Sequence, residues 1–568
     1  MNEIKTPWLK NYGGAPATLD YFEGSMSDAF ERTARDYSGY IAYEFMGGKT
    51  SYRAAFEAVK ECAAALIALG IRPGDKVTIC LPNLPQAVTM FYAVNMIGAV
   101  SNMVHPLSGE GEIAFYLKDS GSVAAITLDQ FYEKFERVRR DVKLKHLIIT
   151  SVADALSPIV KAGYALTEGR KIKKIPAEAD IVRWKDFLAA GRGAENYAVK
   201  TDRNAPAAIL YSGGTTGTNK GIILSSLNFN ALAQQIISFN PMFEPGDRML
   251  AVMPVFHGFG LGVSIHAMIF FGGRCILVPR FTAKSYVGLM ARRKPNFVAG
   301  VPTLFEAMLR EPEAQKLDLS CLKGIFSGGD SLSIELKKRF DAYLKERGST
   351  VEIREGYGTT ETVTACCLTP INMSREGSIG LPLPDTFFKI VKPETDEELS
   401  FNEEGEIVIA GPSVMLGYNN QSEETAKTLR VHPDGLTWVH TGDLGVMDED
   451  GFVYFRQRIK RMIITSGYNV YPSRIENLLD AHEYVQMSCV IGVKDPLKIQ
   501  KVKACIMLKA GFEPSEAIKQ ELLEYCRRNI AVYAVPYDIE FRESLPKTLV
   551  GKVAYRELEE EERLKEQA

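Results

Sequence analysis

A loop rich in glycine, threonine and lysine follows a short apolar segment near the middle of the chain. The segment APAAIL leads into YSGGTTGTNKGI, which runs from Tyr211 to Ile222. Backbone N–H groups that no Cβ obstructs, together with hydroxyl groups and an ammonium group, suit the binding of phosphate oxygens. The Walker A spacing is not met, because Asn219 precedes Lys220 and Gly221 follows it. The loop therefore predicts a phosphate site of another kind, and an ordinary surface loop is the alternative.

Alternating apolar strands and amphipathic helices must position this loop. AAFEAVKECAAALIALG and PQAVTMFYAVNMIGAV have helical spacing, whereas DKVTICL, SVAAITL, HLIIT, APAAILYS, DRMLAVMP and RCILVP have the composition of short buried strands. This alternation predicts an α/β fold with parallel sheets and several layers. Segments punctuated by Gly and Pro indicate a smaller β-rich subdomain at about residues 377–458, within an N-terminal domain of residues 1–458. Residues 459–568 are predicted to form a small α+β domain.

Further motifs occur along nearly the whole chain, in a fixed order. The loop at Tyr211 closely resembles the signature of the adenylate-forming superfamily, which includes acyl-CoA synthetases, luciferases and the adenylation domains of peptide synthetases. It departs from the usual Tyr-Thr-Ser-Gly-Thr-Thr-Gly-x-Pro-Lys-Gly form at Ser212, Gly213 and Asn219. The motifs that resemble the rest of the family pattern are PVFHGFG, SGGDSLS, EGYGTTET, GEIVIAGPSVMLGY, HTGDLG, QRIKRMIITSGYNVYPSRIE and PKTLVGK. A single motif could arise by chance, but the ordered series identifies the superfamily.

The resemblance implies a reaction in two steps. A carboxylate attacks the α-phosphate of ATP and releases pyrophosphate, and the resulting adenylate then passes its acyl group to a thiol. Because two anions must meet, such a site needs Mg²⁺, lysine and backbone donors rather than a covalent nucleophile. ATP, Mg²⁺ and CoA are the implied cofactor and co-substrates, and the small C-terminal domain is implied to be mobile.

The resemblance also implies roles for individual residues. Glu361 is expected to bind Mg²⁺, Thr215 and Lys220 the phosphates, and Lys552 to bridge the acid and the α-phosphate. Without the family pattern, Glu361 could equally be an exposed helix-terminal carboxylate and Lys552 a surface lysine. Lys460 is expected to be the hinge. The expected nucleotide-binding residues are Ser212, Gly213, Gly214, Thr216, Gly217, Lys220, Gly328, Gly329, Asp330, Glu355, Gly356, Tyr357, Gly358, Thr359, Thr360, Asp443 and Arg458.

The acid-binding segment carries no acidic residue. Between Arg248 and Phe305 there is no Asp or Glu, whereas an amino-acid substrate would need a carboxylate for its ammonium group. A hydrophobic carboxylic acid is therefore expected. The predicted substrate pocket comprises Phe256, His257, Gly258 and Phe259, and the predicted CoA-binding loop comprises Ser466, Gly467 and Tyr468. A lone His is often a structural hydrogen-bonding group, and this reading of His257 stays open.

Composition narrows the function class further. The 568 residues carry a net charge of −3, which gives no long-range attraction for nucleic acid. The nine cysteines show no zinc-like spacing, and the polar N-terminus shows no export signal, so a cytoplasmic protein is predicted. No apolar stretch reaches the roughly 20 residues of a membrane span, so at most peripheral membrane association is expected. The main prediction is a carboxylate–CoA ligase, and the alternatives are acyl delivery to a carrier protein, a luciferase-like activity and a catalytically silent nucleotide-binding protein.

Overall fold

The computed structural model describes residues 4–194, 197–212, 219–465, 468–495, 498–548 and 551–567. Two large sheets, one antiparallel sheet and a C-terminal sheet organise these residues. The strands before the C-terminal part are β1 Ile41–Phe45, β2 Gly48–Ser51, β3 Lys76–Cys80, β4 Val100–Met103, β5 Ala124–Leu128, β6 His146–Thr150, β7 Ile181–Arg183, β8 Pro206–Ser212, β9 Lys220–Ser225, β10 Arg248–Ala251, β11 Arg274–Leu277, β12 Phe297–Gly300, β13 Gly324–Ser327, β14 Ile353–Tyr357, β15 Cys367–Leu368, β16 Leu381–Pro382, β17 Phe387–Val391, β18 Gly405–Ala410, β19 Gly417–Tyr418, β20 Leu429–Val431, β21 Thr437–Met447 and β22 Val453–Arg458. The C-terminal strands are β23 Ile463–Thr465, β24 Tyr468–Val470, β25 Val485–Asp495, β26 Ile499–Leu508 and β27 Asp538–Phe541.

The helices pack on these sheets and between them. They are α1 Met26–Asp36, α2 Tyr52–Ala68, α3 Pro85–Met96, α4 Glu110–Ser120, α5 Tyr132–Val138, α6 Pro158–Leu166, α7 Trp184–Ala190, α8 Ser226–Ser238, α9 Met268–Phe270, α10 Ala283–Arg293, α11 Pro302–Arg310, α12 Ile334–Glu346, α13 Ser422–Thr428, α14 Pro472–Asp480, α15 Glu516–Asn529 and α16 Tyr555–Gln567. Helix α3 is buried on every side from Gln86 to Met96, which explains why its sequence is apolar around its whole circumference.

Parallel strands form the centre of both large sheets. One sheet has the order β19-β9-β8-β4-β3-β5-β6-β7, and the other has the order β16-β15-β14-β13-β12-β10-β11-β1-β2. Strands from β8 to β7 in the first and from β14 to β1 in the second pair in parallel, whereas β9, β19, β15, β16 and β2 pair antiparallel. A continuous apolar core joins the two sheets, with Ile79, Leu210, Leu250 and Val298 among its members. The predicted α/β class is confirmed, with antiparallel edges added to it.

The later elements form two smaller units. Strands β17, β18, β21, β20 and β22 make an antiparallel sheet inside the segment predicted to be β-rich. Beyond it, β24-β23-β26-β25 and β27 carry α14, α15 and α16 and enclose a separate apolar core that includes Ile475, Val490 and Leu522. Strand β22 ends at Arg458 and this core begins at Ile463. The domain limits at residues 458 and 459 stay predictions.

Candidate active site

A pocket of about 770 Å³, including its open mouth, lies where β13 and β14 end. Ligands of parallel α/β sheets commonly bind at the carboxyl ends of the strands. The residues predicted from the sequence that line this pocket are His257, Phe259, Gly328, Gly329, Gly356, Tyr357, Gly358, Thr359, Thr360, Arg458 and Lys552. Segments separated by hundreds of residues therefore meet in one place.

A buried carboxylate lies beside the pocket, on β21. Antiparallel pairing places Asp443 opposite Arg458, whose Nε lies 3.2 Å from Asp443 Oδ1. Tyr357 Oη donates a hydrogen bond of 2.7 Å to Oδ2. Asp443 is only 1% exposed, and burial raises the pKa of its carboxyl above the ordinary value while Arg458 opposes the shift.

One oxygen of the Asp443 carboxylate is available as a hydrogen-bond acceptor. Among the described residues Asp443 Oδ1 has no hydrogen-bond partner, because Arg458 is close but does not align as a donor. A buried acceptor without a donor is costly, so a ligand that brings a hydroxyl group would be favoured here. The site therefore fits the ribose of a nucleotide.

Lys552 reaches the same pocket from the C-terminal domain. Its loop is closed by two hydrogen bonds, from Thr548 N to Lys552 O at 2.7 Å and from Lys552 N to Thr548 Oγ1 at 3.1 Å. Thr303 Oγ1, on α11, donates a hydrogen bond of 2.8 Å to the carbonyl of Gly551. Burial is the main cause that lowers the pKa of Lys552, and Asp330 opposes it. The hydrogen bond between Thr303 and Gly551 holds the C-terminal loop against the N-terminal domain.

Glu361 lies at the end of a chain of contacts that starts at the phosphate loop. Tyr418 Oη donates a hydrogen bond of 2.8 Å to Glu361 Oε1, and Lys220 Nζ lies 4.7 Å from the centre of the Tyr418 ring. Lys220 also pairs with Glu424 at 2.7 Å, which lowers the pKa of that carboxyl to about 2. Glu361 carries carboxylate oxygens, the hard ligand type that Mg²⁺ prefers. The donor chemistry therefore fits that ion.

The sequence prediction for the phosphate loop rests mainly on residues at its tip. Gly213, Gly214, Thr215, Thr216 and Gly217 lie outside the described residues. At the base of the loop, Ser212 pairs with Lys220 across β8 and β9. Asn219 stands where the family pattern has Pro, and its Nδ2 donates a hydrogen bond of 2.7 Å to Tyr116 Oη. This departure from the pattern thus anchors one side of the loop to α4.

The substrate segment places two of its four predicted residues on the pocket wall. His257 Nδ1 accepts a hydrogen bond of 3.2 Å from the Phe259 N–H, so a neutral imidazole carries its proton on Nε2. Burial, with Lys552 nearby, lowers the pKa of His257 to about 3 and keeps it neutral. Phe256 instead packs on His105 at 4.1 Å between ring centres, and Gly258 lies against Val363. The places predicted for Phe256 and Gly258 in the substrate pocket stay predictions.

Further residues predicted to bind the nucleotide lie in the loop after β13 or contact it. Gly329 adopts a φ of +80°, which only glycine accepts readily. Asp330 is exposed and Glu355 does not line the pocket, although Glu355 Oε1 accepts a hydrogen bond of 3.1 Å from the Leu332 N–H and so fixes this loop. Burial raises the pKa of Glu355 to about 7.

The predicted hinge residue Lys460 and the predicted CoA-binding residue Tyr468 do not line this pocket. Lys460 belongs to the 3₁₀ turn Ile459–Arg461 that joins β22 to β23. Tyr468 is 55% exposed and stacks on Tyr533 at 4.5 Å, and Ser466 and Gly467 lie outside the described residues. The roles of Lys460 and Tyr468 stay predictions.

Sequence reasoning missed most of the apolar wall. The additional lining residues are Ile236, Val263, Phe326, Ser327, Thr364, Ala365, Leu368 and Leu383. Val263 belongs to a π-helix, Phe259–Ala267. Thr364, Ala365 and Leu368 follow EGYGTTET directly, so proximity to that motif could have indicated them, whereas Ile236 and Leu383 carry no local signal.

No helix among the described residues has the length and apolar character needed to cross a bilayer.

Comparisons with known proteins cover nearly the whole chain and indicate one family. The family of AMP-binding enzymes matches residues 30–419, and the C-terminal domain of AMP-binding enzymes matches residues 474–552. The long-chain-fatty-acid–CoA ligase of Bacillus subtilis (strain 168) is 34% identical over 568 residues, with 99% of each chain covered. That of Salmonella typhimurium is 33% identical over 572 residues, again with 99% of each covered. The crystal structure of the anthranilate CoA ligase AuaEII in complex with anthranoyl-AMP superposes with a TM-score of 0.83 at 25% identity, covering 98% of this chain and 100% of that one.

Proposed function

The chain belongs to the AMP-binding enzyme family as an acyl-CoA synthetase of the adenylate-forming superfamily, and on that premise we propose that it activates a long-chain fatty acid with ATP and transfers the acyl group to CoA. The superfamily predicted from the motifs is confirmed. The observation that carries the proposal is the convergence of Tyr357, Arg458 and Lys552 on one pocket with an apolar wall. The reaction joins the carboxylate to the α-phosphate, releases pyrophosphate, and then exchanges AMP for the CoA thiol.

The polar residues of the pocket suit the nucleotide. Asp443 is proposed to accept hydrogen bonds from the ribose hydroxyls, with Tyr357 and Arg458 holding its carboxylate in place. Lys552 is proposed to contact the substrate carboxylate and the α-phosphate, where negative charge accumulates as the bond forms. Mg²⁺, held by Glu361, would neutralise phosphate charge when bound. Neutral His257 can donate a hydrogen bond from Nε2 without adding charge.

The remaining wall suits a hydrocarbon chain. Ile236, Val263, Phe259, Leu368 and Leu383 line the pocket, and its lining includes no Asp or Glu among the described residues. An ammonium-bearing acid would find no counterion there, whereas burial of each methylene group contributes about 0.8 kcal/mol. The fatty-acid ligases of Bacillus and Salmonella, similar over their full lengths, support the same class of acid. We also propose a cytoplasmic location, which the nine free cysteines support.

Acid-dependent exchange of pyrophosphate into ATP tests the proposal. Saturated fatty acids of graded chain length, benzoate and an amino acid are supplied with Mg²⁺, and CoA is then added. We expect exchange that strengthens with chain length and an acyl-CoA product once CoA is present. Exchange without thioester formation would point to carrier-protein loading, and exchange limited to benzoate would overturn the fatty-acid assignment. No exchange with any acid would favour the silent nucleotide-binding protein.

A further inference from the structure

Two histidines and an aspartate meet at the antiparallel sheet, and none of the three lines the active-site pocket. His432 Nε2 and His440 Nε2 are 3.1 Å apart. Asp396 Oδ1 lies 3.5 Å from the first and 3.4 Å from the second. The histidine side chains are 1% and 4% exposed, whereas that of Asp396 is 41% exposed. The three donor atoms therefore form a compact triangle that solvent reaches on the Asp396 side.

Neighbouring side chains fix the orientation of both rings. His440 Nδ1 faces Glu406 Oε2 at 3.0 Å, so Nδ1 carries the proton and the lone pair of the neutral ring lies on Nε2, where it faces His432. The ring of His432 stacks on Trp438, with 5.5 Å between the centres. A carboxylate that holds the distal nitrogen of a metal-binding histidine is a common supporting contact in metal sites.

We propose that Asp396, His432 and His440 form a binding site for a divalent transition metal ion of the zinc class. Zinc binds His nitrogen and carboxylate oxygen at about 2.0–2.2 Å, and in tetrahedral geometry this sets neighbouring donors about 3.4 Å apart. The three observed separations, 3.1, 3.4 and 3.5 Å, lie near that value. Three protein ligands leave the fourth position for water. Imidazole nitrogen favours zinc-class ions over Mg²⁺ and Ca²⁺.

Two cationic side chains, Arg430 and Lys389, lie near the proposed metal ligands and could oppose the binding of a metal ion. Arg430 Nη1 is 3.5 Å from Asp396 Oδ1, so it shares the oxygen that would bind the metal. Lys389 lies over the Trp438 ring, and its charge is paired with Asp434. Arg430 is therefore the competitor for the site, and its removal should strengthen metal binding.

A metal ion bound at this site would connect segments of the sheet close in sequence to the buried carboxylate Asp443. Asp396 lies in the connection between β17 and β18, His432 in the turn between β20 and β21, and His440 on β21 itself. Glu406, which orients His440, also accepts a hydrogen bond of 2.9 Å from the Gly442 N–H. A bound ion would thus tie two hairpins to the segment just before Asp443, which makes a structural role the natural one.

Cobalt binding to the full-length protein tests the site. After chelation and dialysis, Co²⁺ is titrated in millimolar Mg²⁺, so that magnesium occupies the nucleotide site. We expect one equivalent per chain with visible d–d absorption, displaced by Zn²⁺. His432→Gln and Asp396→Asn should weaken binding at least about 100-fold, more than the loss of a supporting contact alone. Arg430→Gln should strengthen it several-fold, and His482→Gln, at a buried histidine of the C-terminal domain, should leave it unchanged.

The outcomes separate the metal site from a simple hydrogen bond between the two histidines. Absence of d–d absorption at one equivalent of Co²⁺ would overturn the proposal and leave the hydrogen bond as the explanation. Binding that survives both His432→Gln and Asp396→Asn would overturn it as well. Because Asp396 is partly exposed, Asp396→Asn is expected to fold, and its circular dichroism should match the unsubstituted protein. The thermal midpoint should rise with Zn²⁺ in the unsubstituted protein and stay constant in Asp396→Asn.

Discussion

Lys552 and Lys547 belong to the same C-terminal loop, but only Lys552 lines the pocket. Lys552→Ala should lower acid-dependent pyrophosphate exchange by about 100- to 1,000-fold, the range for loss of one charge-stabilising donor. Conversion of a supplied acyl-adenylate to acyl-CoA should be nearly unchanged, because the α-phosphate bond is already made. The exposed Lys547→Ala serves as the control and should retain exchange. Equal losses in both half-reactions would contradict the role proposed for Lys552.

Asp443 predicts a pH dependence of ATP binding. Its pKa is raised by burial, so it takes up a proton at a higher pH than an ordinary aspartate. The protonated carboxyl accepts hydrogen bonds poorly, and the KM for ATP should therefore rise as pH falls. Tyr357→Phe removes a hydrogen bond to the charged form, so the rise should begin at a higher pH than in the unsubstituted enzyme.

The difference between the two profiles isolates Asp443 from other groups. Glu355 has a pKa raised to about 7 and can contribute to both curves equally. Tyr454→Phe removes a tyrosine that contacts Asp448 on the same sheet and lies outside the pocket lining. Its profile should follow that of the unsubstituted enzyme. If the Tyr357→Phe profile does so too, Asp443 is not the titrating group.

At the scale of elements, two segments that border the pocket pack backbone against backbone. A Cβ added at Gly258 would lie 1.7 Å from the Val363 carbonyl oxygen, and Val363 itself has a φ of +64°. Gly258→Ala should destabilise the protein by about 1–3 kcal/mol and displace the pocket wall. The thermal midpoint and the KM for the fatty acid measure these two effects.

Gly111 provides the matched control for that substitution. It lies in α4 with no atom within 4 Å of an added Cβ. Gly111→Ala should leave the KM unchanged and raise stability by up to about 1 kcal/mol, because alanine favours the helix. A Gly258→Ala enzyme as stable and active as the unsubstituted one would show that the two segments do not require this close approach.

Asp480 is a half-buried residue that ends α14, at the helix end where negative charge is unfavourable. Burial raises its pKa to about 8, so the folded domain holds a proton that the unfolded chain releases near pH 4. Stability should fall as pH rises from about 4 to about 8 and then level off. Asp480→Asn should remove this dependence and stabilise the C-terminal domain above pH 8. Hydrogen exchange in α14 and β25 measures the stability of the C-terminal domain at each pH, with a substitution at the exposed Glu483, Glu483→Gln, as control. A pH dependence retained in Asp480→Asn would assign it to another group.

Local sequence patterns predicted elements well wherever a segment is buried as a unit. The strand at Lys76–Cys80 and the helix at Tyr52–Ala68 both follow from the spacing of their apolar residues. Pairing between distant segments carries no such signal. The antiparallel addition of β19 to β9 and the meeting of Asp396 with His432 depend on tertiary contacts, which is why the sequence did not predict them.

At the scale of the whole molecule, family motifs predicted more of the site than composition did. Lys552 could be associated with a catalytic pocket only through the pattern PKTLVGK, since nothing in its own segment distinguishes it from other lysines. The apolar wall could not be assembled in this way, because Ile236 and Leu383 come from segments outside any motif. The positions of Arg458 and Lys552 at the pocket were therefore predictable from the motifs, whereas the shape of the cavity was not.

Docking of the C-terminal domain is the last feature that the structure makes testable. Thr303 is 9% exposed and its hydroxyl binds Gly551, the residue before Lys552. Thr303→Val keeps the shape of the side chain but loses the hydrogen bond, at a cost of about 1 kcal/mol. The equilibrium constant for docking should then fall about five-fold, and the adenylation rate should fall by up to that factor while thioester formation from a supplied adenylate is unchanged. Thr33→Val, a buried threonine of α1 that binds Phe270 O at 2.9 Å, controls for general loss of stability and should leave the ratio of the two half-reactions as it is. A parallel decline of both rates in Thr303→Val would mean that this contact stabilises the fold without selecting the arrangement that adenylates.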